Sequence, residues 1–200
     1  TLDGKEYKLL DTNFPTIDPK DPYRLTESER LVMERLEGAF VRCEKLQRHV
    51  RFMYSKGGMY KIYNGNLLYH GCVPMDENGE LSKVQVFDEE YAGKELYDVL
   101  EHYAKRGYYA KDVNERQAGQ DILWYIWNGP GSPVFGKDKM TTFERYLVAE
   151  KETHKEKKNS YYRLLEQEEV INRILEDFGL DKSNAHIING HVPVEQIHGE

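Results

Sequence analysis

Two histidines, each closing a short β-prone run and each beside a glycine, carry the most chemistry in this sequence. In Asn64-Gly65-Asn66-Leu67-Leu68-Tyr69-His70-Gly71-Cys72-Val73-Pro74 an Asn-Gly turn launches an apolar strand that delivers His70. Gly71 then frees the backbone and Pro74 stops the ladder. The run Ala185-His186-Ile187-Ile188-Asn189-Gly190-His191-Val192-Pro193-Val194 repeats the pattern. Two strand-end histidines predict one shared site. Neutral imidazole is a favoured ligand for borderline divalent metals, and a metal so held polarises a phosphoryl oxygen and activates water near neutral pH. Two ligands do not make a binuclear centre, which needs carboxylates, amides and further histidines. The sequence offers no Asp-x-His, Gly-Asp-x-x-Asp-Arg or Gly-Asn-His stretch, so the alternative is a pair of hydrogen-bonding structural histidines. The run Gln196-Ile197-His198-Gly199-Glu200 imitates a metal-binding Asp-x-His-Gly-Glu, but a glutamine stands where the carboxylate is required.

A second constellation follows Trp127. Asn128-Gly129-Pro130-Gly131-Ser132-Pro133 cannot be regular structure and leads into Lys137, Lys139 and Arg145, three cations that could converge on an anion. The plain alternative is a solvated surface loop. Cys72 lacks the spaced histidine and acid of a nucleophilic dyad. Asp76-Glu77-Asn78-Gly79-Glu80 lacks the later bidentate glutamate of a calcium loop and reads as a solvated hairpin tip.

The elements that must position these groups alternate between helices and short strands, an α+β pattern. Residues 1–25 read as one arm of a hairpin, whose partner lies upstream, followed by a connector kept irregular by Pro15, Pro19 and Pro22. Thr26 with Glu29 signals a capping box, and Leu36, Phe40, Cys43, Leu46, Val50 and Met53 predict one amphipathic helix over 26–56 with its stripe in the core. A hairpin then ends at His70. A strand is expected over 81–87, a helix over 93–106, a buried strand over 121–127, a loop over 128–145, a helix over 161–178 and a last strand ending at His191. The polar run Thr153–Asn159 reads as solvent-facing.

With 28 basic residues interspersed among 35 acidic ones and a net charge of -7, there is no cationic face for nucleic acid. No apolar run approaches the roughly 20 residues that span a bilayer, so a cytoplasmic protein with no membrane partner is expected. Cys43 and Cys72 are expected to be reduced thiols. Both ends look cut, which predicts a segment of a longer protein.

The stretches Leu67–Pro74, Ser132–Tyr146 and Ile187–Val194, together with the connector Leu10–Pro19 and the run Thr153–Asn159, closely resemble the class III fructose-1,6-bisphosphatases of Firmicutes. The likeness covers essentially the whole chain. It implies part of a calcineurin-like metallophosphatase β-sandwich flanked by helices, with a helical insertion, over residues 26–200. His70 matches the His-Gly and His191 the Gly-His metal motif of that superfamily, so both are implied ligands of a dinuclear Mn2+ centre. The family's earlier motifs, with the histidine that protonates the leaving group, are implied to lie upstream. Lys137, Lys139 and Arg145 become candidates for binding phosphate. The implied reaction is hydrolysis of the 1-phosphate of fructose 1,6-bisphosphate in gluconeogenesis, with this segment inactive alone. Two other readings stay open: a non-catalytic module for homo-oligomer contacts or effector binding, and a metallophosphatase acting on another phosphate ester.

Overall fold

Local chemistry sets the first boundaries. The structure, a computed structural model, describes residues 1–191. Asp3 and Gly4, both at positive φ, fold the start of the chain back on itself, with Leu2 and Lys5 exchanging backbone hydrogen bonds of 2.9 and 3.0 Å. The expected hairpin arm is thus a tight turn closed by its own residues. Thr26 caps α1 (Glu27–Val41) with a full capping box: its hydroxyl accepts from the Glu29 amide and the Glu29 carboxylate accepts from the Thr26 amide. The single helix expected over 26–56 comes as two, because Cys43 turns extended (φ -75°, ψ 100°) before α2 (Glu44–Lys56) begins. Neither helix holds a buried residue, so no packed face bridges the break, and Leu36, Phe40 and Met53 are exposed rather than core.

Next, β1 (Tyr60–Tyr63) pairs antiparallel with β2 (Asn66–His70), Tyr60 opposite Tyr69 and Tyr63 opposite Asn66. The turn between them has Asn64 and Gly65 at φ 50° and 75°, the twist that suits a two-residue hairpin. A second hairpin joins β3 (Val84–Val86) to β4 (Glu89–Tyr91), shorter than the expected strand over 81–87. The helix expected over 93–106 is α3 (Gly93–Tyr109). The stretch 121–127 is not a strand: it is the last half of α4 (Val113–Asn128), capped by the Asp112 carboxylate. Ile122, Tyr125 and Ile126 recur at helical spacing and pack inward, while Trp124 and Trp127 are exposed.

The expected loop 128–145 gives way to α5 (Thr142–Leu147) and a single 3-10 turn at Lys151–His154. The helix expected over 161–178 is also divided, into α6 (Tyr161–Leu164) and α7 (Glu168–Asp177), where Gln167 goes extended. The break lets Tyr161 and Leu164 enter the same core as Val170, Ile174 and Leu175. Finally β5 (Ile187–Gly190) lies parallel to β2, completing a three-stranded sheet in the order β1-β2-β5.

These elements form two units. One comprises 1–57 and 141–155, where the Leu10 amide donates to the Leu147 carbonyl (2.8 Å) and the Lys5 ammonium pairs with Glu152 (2.7 Å). The other comprises 58–140 and the chain from Glu156 onward, with a core of Leu67, Tyr69, Cys72, Tyr97, Tyr161 and Ile174. The mixture of helices and small sheets is α+β. Among the described residues no helix is long and apolar enough to cross a membrane.

Candidate metal and anion site

Parallel pairing of β2 and β5 sets His70 in register with Gly190, so His191 emerges beside it. His70 Nε2 and His191 Nδ1 are 3.1 Å apart, with the rings nearly perpendicular at 86°. Three contacts hold this strand end. The Gly71 amide donates to the Gly190 carbonyl (3.3 Å), the Asn189 side-chain amide donates to the Gly71 carbonyl (3.1 Å), and the Cys72 amide donates to the Pro133 carbonyl (2.8 Å). Gly71 sits at φ 85°, and a Cβ there would lie 2.1 Å from the Pro133 oxygen, so only glycine lets the loop press against the strand. His191 itself occupies the left-handed region at φ 103°, a strained conformation for a side chain with a Cβ.

Burial pushes the His191 imidazole below its ordinary value, and electrostatic repulsion from its neighbours His70, Lys137 and Lys158 adds to the shift. The shift favours the neutral form of the ring, the form that ligates metal. A separation of 3.1 Å is a hydrogen bond between one protonated and one bare nitrogen. It is also close to the spacing of about 3 Å expected of two imidazoles on neighbouring positions of one ion, given metal–nitrogen bonds of about 2.0–2.2 Å. The pair therefore fits a shared metal as part of its donor set. Among the described residues no group of three or more His, Cys, Asp or Glu gathers to complete one. The imitation motif at 196–200 lies outside the described residues.

The expected cations divide between the units. Lys137 and Lys139 belong to the unit that holds the histidines and Arg145 to the other. Arg145 Nε donates to the Thr141 hydroxyl and Nη2 to the His154 carbonyl, both at 3.0 Å, bracing the turn after α5. Lys139 is exposed. Lys137 is half-buried and pairs with Glu156 at 2.7 Å. The loop that carries it is organised by buried Ser132, whose hydroxyl donates to the Ile126 carbonyl (2.7 Å).

In the run Thr153–Asn159, read from sequence as solvent-facing, Lys155, Lys157 and Lys158 are indeed exposed and Thr153 is buried, while the backbone of 156–159 pairs with this loop. Lys137 stands opposite Lys158 in an antiparallel bridge, flanked by bonds from the Asn159 amide to the Gly136 carbonyl (2.9 Å) and from the Asp138 amide to the Lys157 carbonyl (3.0 Å). The Asn159 side-chain oxygen accepts from the amides of Met75 and Tyr161, both at 3.0 Å. Between these segments lies a cleft of about 240 Å³ whose wall includes Met75, Gly131, Lys137, Lys157, Lys158 and Ser160. Lys158 was missed because its orientation depends on a partner elsewhere in the chain; the one signal was that its run belongs to the stretches carrying the family likeness.

Cys72 is buried, and burial pushes its thiol up to about 12, which removes the thiolate a nucleophile needs. The Asp76 carboxylate accepts from the amides of Asn78 (2.8 Å) and Glu80 (2.9 Å), closing its own turn.

A family model described as Firmicute fructose-1,6-bisphosphatase matches residues 1–200. The chain belongs to that family. It is 52% identical to the fructose-1,6-bisphosphatase class 3 of Clostridium tetani, and the match covers 100% of this chain and 30% of that relative. It is 51% identical to the corresponding protein of Listeria innocua, over 100% of this chain and 31% of the relative. For Clostridium acetobutylicum the figures are 52%, 100% and 30%. The chain thus spans about 30% of the length of the curated Firmicute fructose-1,6-bisphosphatases it matches. No solved structure matches it.

Proposed function

We propose that this chain is part of a cytoplasmic fructose-1,6-bisphosphatase of gluconeogenesis, and that His70 and His191 are two of the ligands of its dinuclear manganese centre. The observation that carries this reading is the pair of imidazole nitrogens 3.1 Å apart at neighbouring strand ends, in a chain of this family. In the same reading residues 26–200 belong to a calcineurin-like β-sandwich flanked by helices, and the sheet β1-β2-β5 is one piece of it. Bound metal would supply Lewis-acid polarisation of the 1-phosphate and a water acidified toward neutral pH. The chain's own part is to present two imidazoles at adjoining strand ends, to shield one side of the site with the Pro133 loop, and to bring cations toward the phosphates of the substrate. Lys137, which Glu156 holds, and Lys139 are the proposed phosphate-binding residues.

The test uses the full-length protein. Manganese-dependent release of phosphate from fructose 1,6-bisphosphate is expected, with loss of both bound metal and turnover on His70→Ala or His191→Ala. Unchanged metal content in both variants would remove the histidines from the centre, and a preference for another phosphate ester would change the substrate. The isolated 200-residue chain with added manganese is expected to be inactive. A second reading, an oligomerisation or effector module, draws on the exposed Leu36, Phe40 and Met53 of α1 and α2. Retained activity with dissociation in the histidine variants would favour it.

A further inference from the structure

Lys137 and Lys158 stand directly opposite each other across an antiparallel bridge, an arrangement that repels. Lys137 is compensated by Glu156 at 2.7 Å, and Lys157 pairs with Glu77 at 3.1 Å. Among the described residues no carboxylate pairs with Lys158, whose ammonium lies 5.9 Å from the centroid of the Tyr162 ring. Both opposed lysines line the cleft of about 240 Å³ with Lys157, Asn159, Ser160 and Asp138, whose carboxylate accepts from the Lys157 amide (2.7 Å) and leaves three lysines against one acid. Its volume falls below the roughly 300–1,000 Å³ of pockets that enclose a whole small-molecule ligand. It suits one terminal group of a larger one. A small dianion seated there would relieve the repulsion and give Lys158 its counter-charge.

We propose that this cleft takes the phosphate that is not cleaved, and that Lys158 is the residue that distinguishes a sugar bisphosphate from a monophosphate. This assignment rests on the bisphosphatase reading above. A substrate whose one phosphate sits at the metals still carries a second dianion, and an enzyme that selects bisphosphates needs a cation outside the metal centre to hold it. Lys158 shares a unit with the histidine pair, and the cleft it lines is walled by Met75, which follows the His70 strand end, and by Gly131 of the loop whose Pro133 carbonyl accepts from the Cys72 amide (2.8 Å).

The experiment compares wild type, Lys158→Gln and Lys158→Arg in the full-length protein. KM and kcat are measured for fructose 1,6-bisphosphate and for fructose 1-phosphate, and fructose 6-phosphate is titrated calorimetrically into metal-stripped protein. Lys158→Gln is expected to raise KM for the bisphosphate about tenfold and to weaken fructose 6-phosphate by a similar factor, as loss of one charge-assisted contact would. The effect falls on KM rather than kcat, fructose 1-phosphate is unaffected, and arginine restores most of the loss. An equal loss with fructose 1-phosphate would assign Lys158 to the cleaved phosphate and overturn the proposal. Identical constants for all three proteins would overturn it as well. If wild type fails to hydrolyse the bisphosphate, the enzymatic reading falls, while the calorimetric comparison still decides whether Lys158 holds a sugar phosphate.

Discussion

Gly71 decides whether the histidine end of β2 can exist. A methyl group there meets the Pro133 carbonyl at 2.1 Å and must adopt φ 85°. The left-handed backbone alone costs an alanine about 1–2 kcal/mol, and the collision with a carbonyl adds to it because no side-chain rotation relieves it. Gly71→Ala is therefore expected to destabilise by at least about 2 kcal/mol in urea unfolding. A midpoint equal to wild type would mean that the loop does not press on the strand. The sequence already displayed His70-Gly71 and Gly190-His191 as strand ends, since glycine beside a β-prone run is a local signal. Lys158 was hidden for the opposite reason: an exposed lysine comes to border a cleft only through the segment it pairs with, and nothing in Lys157-Lys158-Asn159 names the loop at Gly136–Asp138.

Elements fixed by contacts within a few residues were legible. The Asn64-Gly65 hairpin and the Thr26–Glu29 capping box needed only local stereochemistry. The short apolar run 121–127 misled because strand and buried helix share that composition, and only its continuation back to Asp112 reveals the helical period. Long helices were overextended at Cys43 and Gln167, where spacing alone does not reveal a break. The pairing of α3 with α4 yields a prediction at this scale. A Cβ on Gly119 would stand 2.2 Å from the Gly107 nitrogen and 2.4 Å from its Cα, so the two backbones touch at the crossing. Alanine would gain about 1 kcal/mol of helix propensity. Overpacking costs about 1–3 kcal/mol even where side chains can move, and here the obstacle is backbone. Gly119→Ala is expected to lower the melting temperature, and a rise would mean that the helices separate without cost.

The molecule as a whole should be sensitive to alkali. The core of the larger unit buries the Cys72 thiol, raised from 9.0 to about 12, and the Tyr161 phenol, raised from 10.0 to about 12, both by burial first. The phenols of Tyr69 and Tyr97 are raised further by the same cause. All four groups keep their protons in the folded protein after the unfolded chain has lost them. The unfolded state binds fewer protons, so stability is full below about pH 9 and falls as pH rises toward 12, by up to about 1.4 kcal/mol per unit for each group. Urea midpoints at neutral pH and at about pH 10.5 should differ in that direction, and equal midpoints would contradict the burial of these groups. The parallel pairing of β5 with β2 has a different kind of consequence, one of timing. His70 and His191 are 121 residues apart in the chain. At about 5–20 residues per second of synthesis, the first histidine leaves the ribosome on the order of ten seconds before the second. The hairpin β1-β2 can close within about 1–10 μs of its emergence and then waits with an open edge. Until β5 arrives to cover that edge, the nascent chain carries a lone imidazole at the end of a strand paired on one side only, and any chaperone that attends this protein during synthesis has its natural target there.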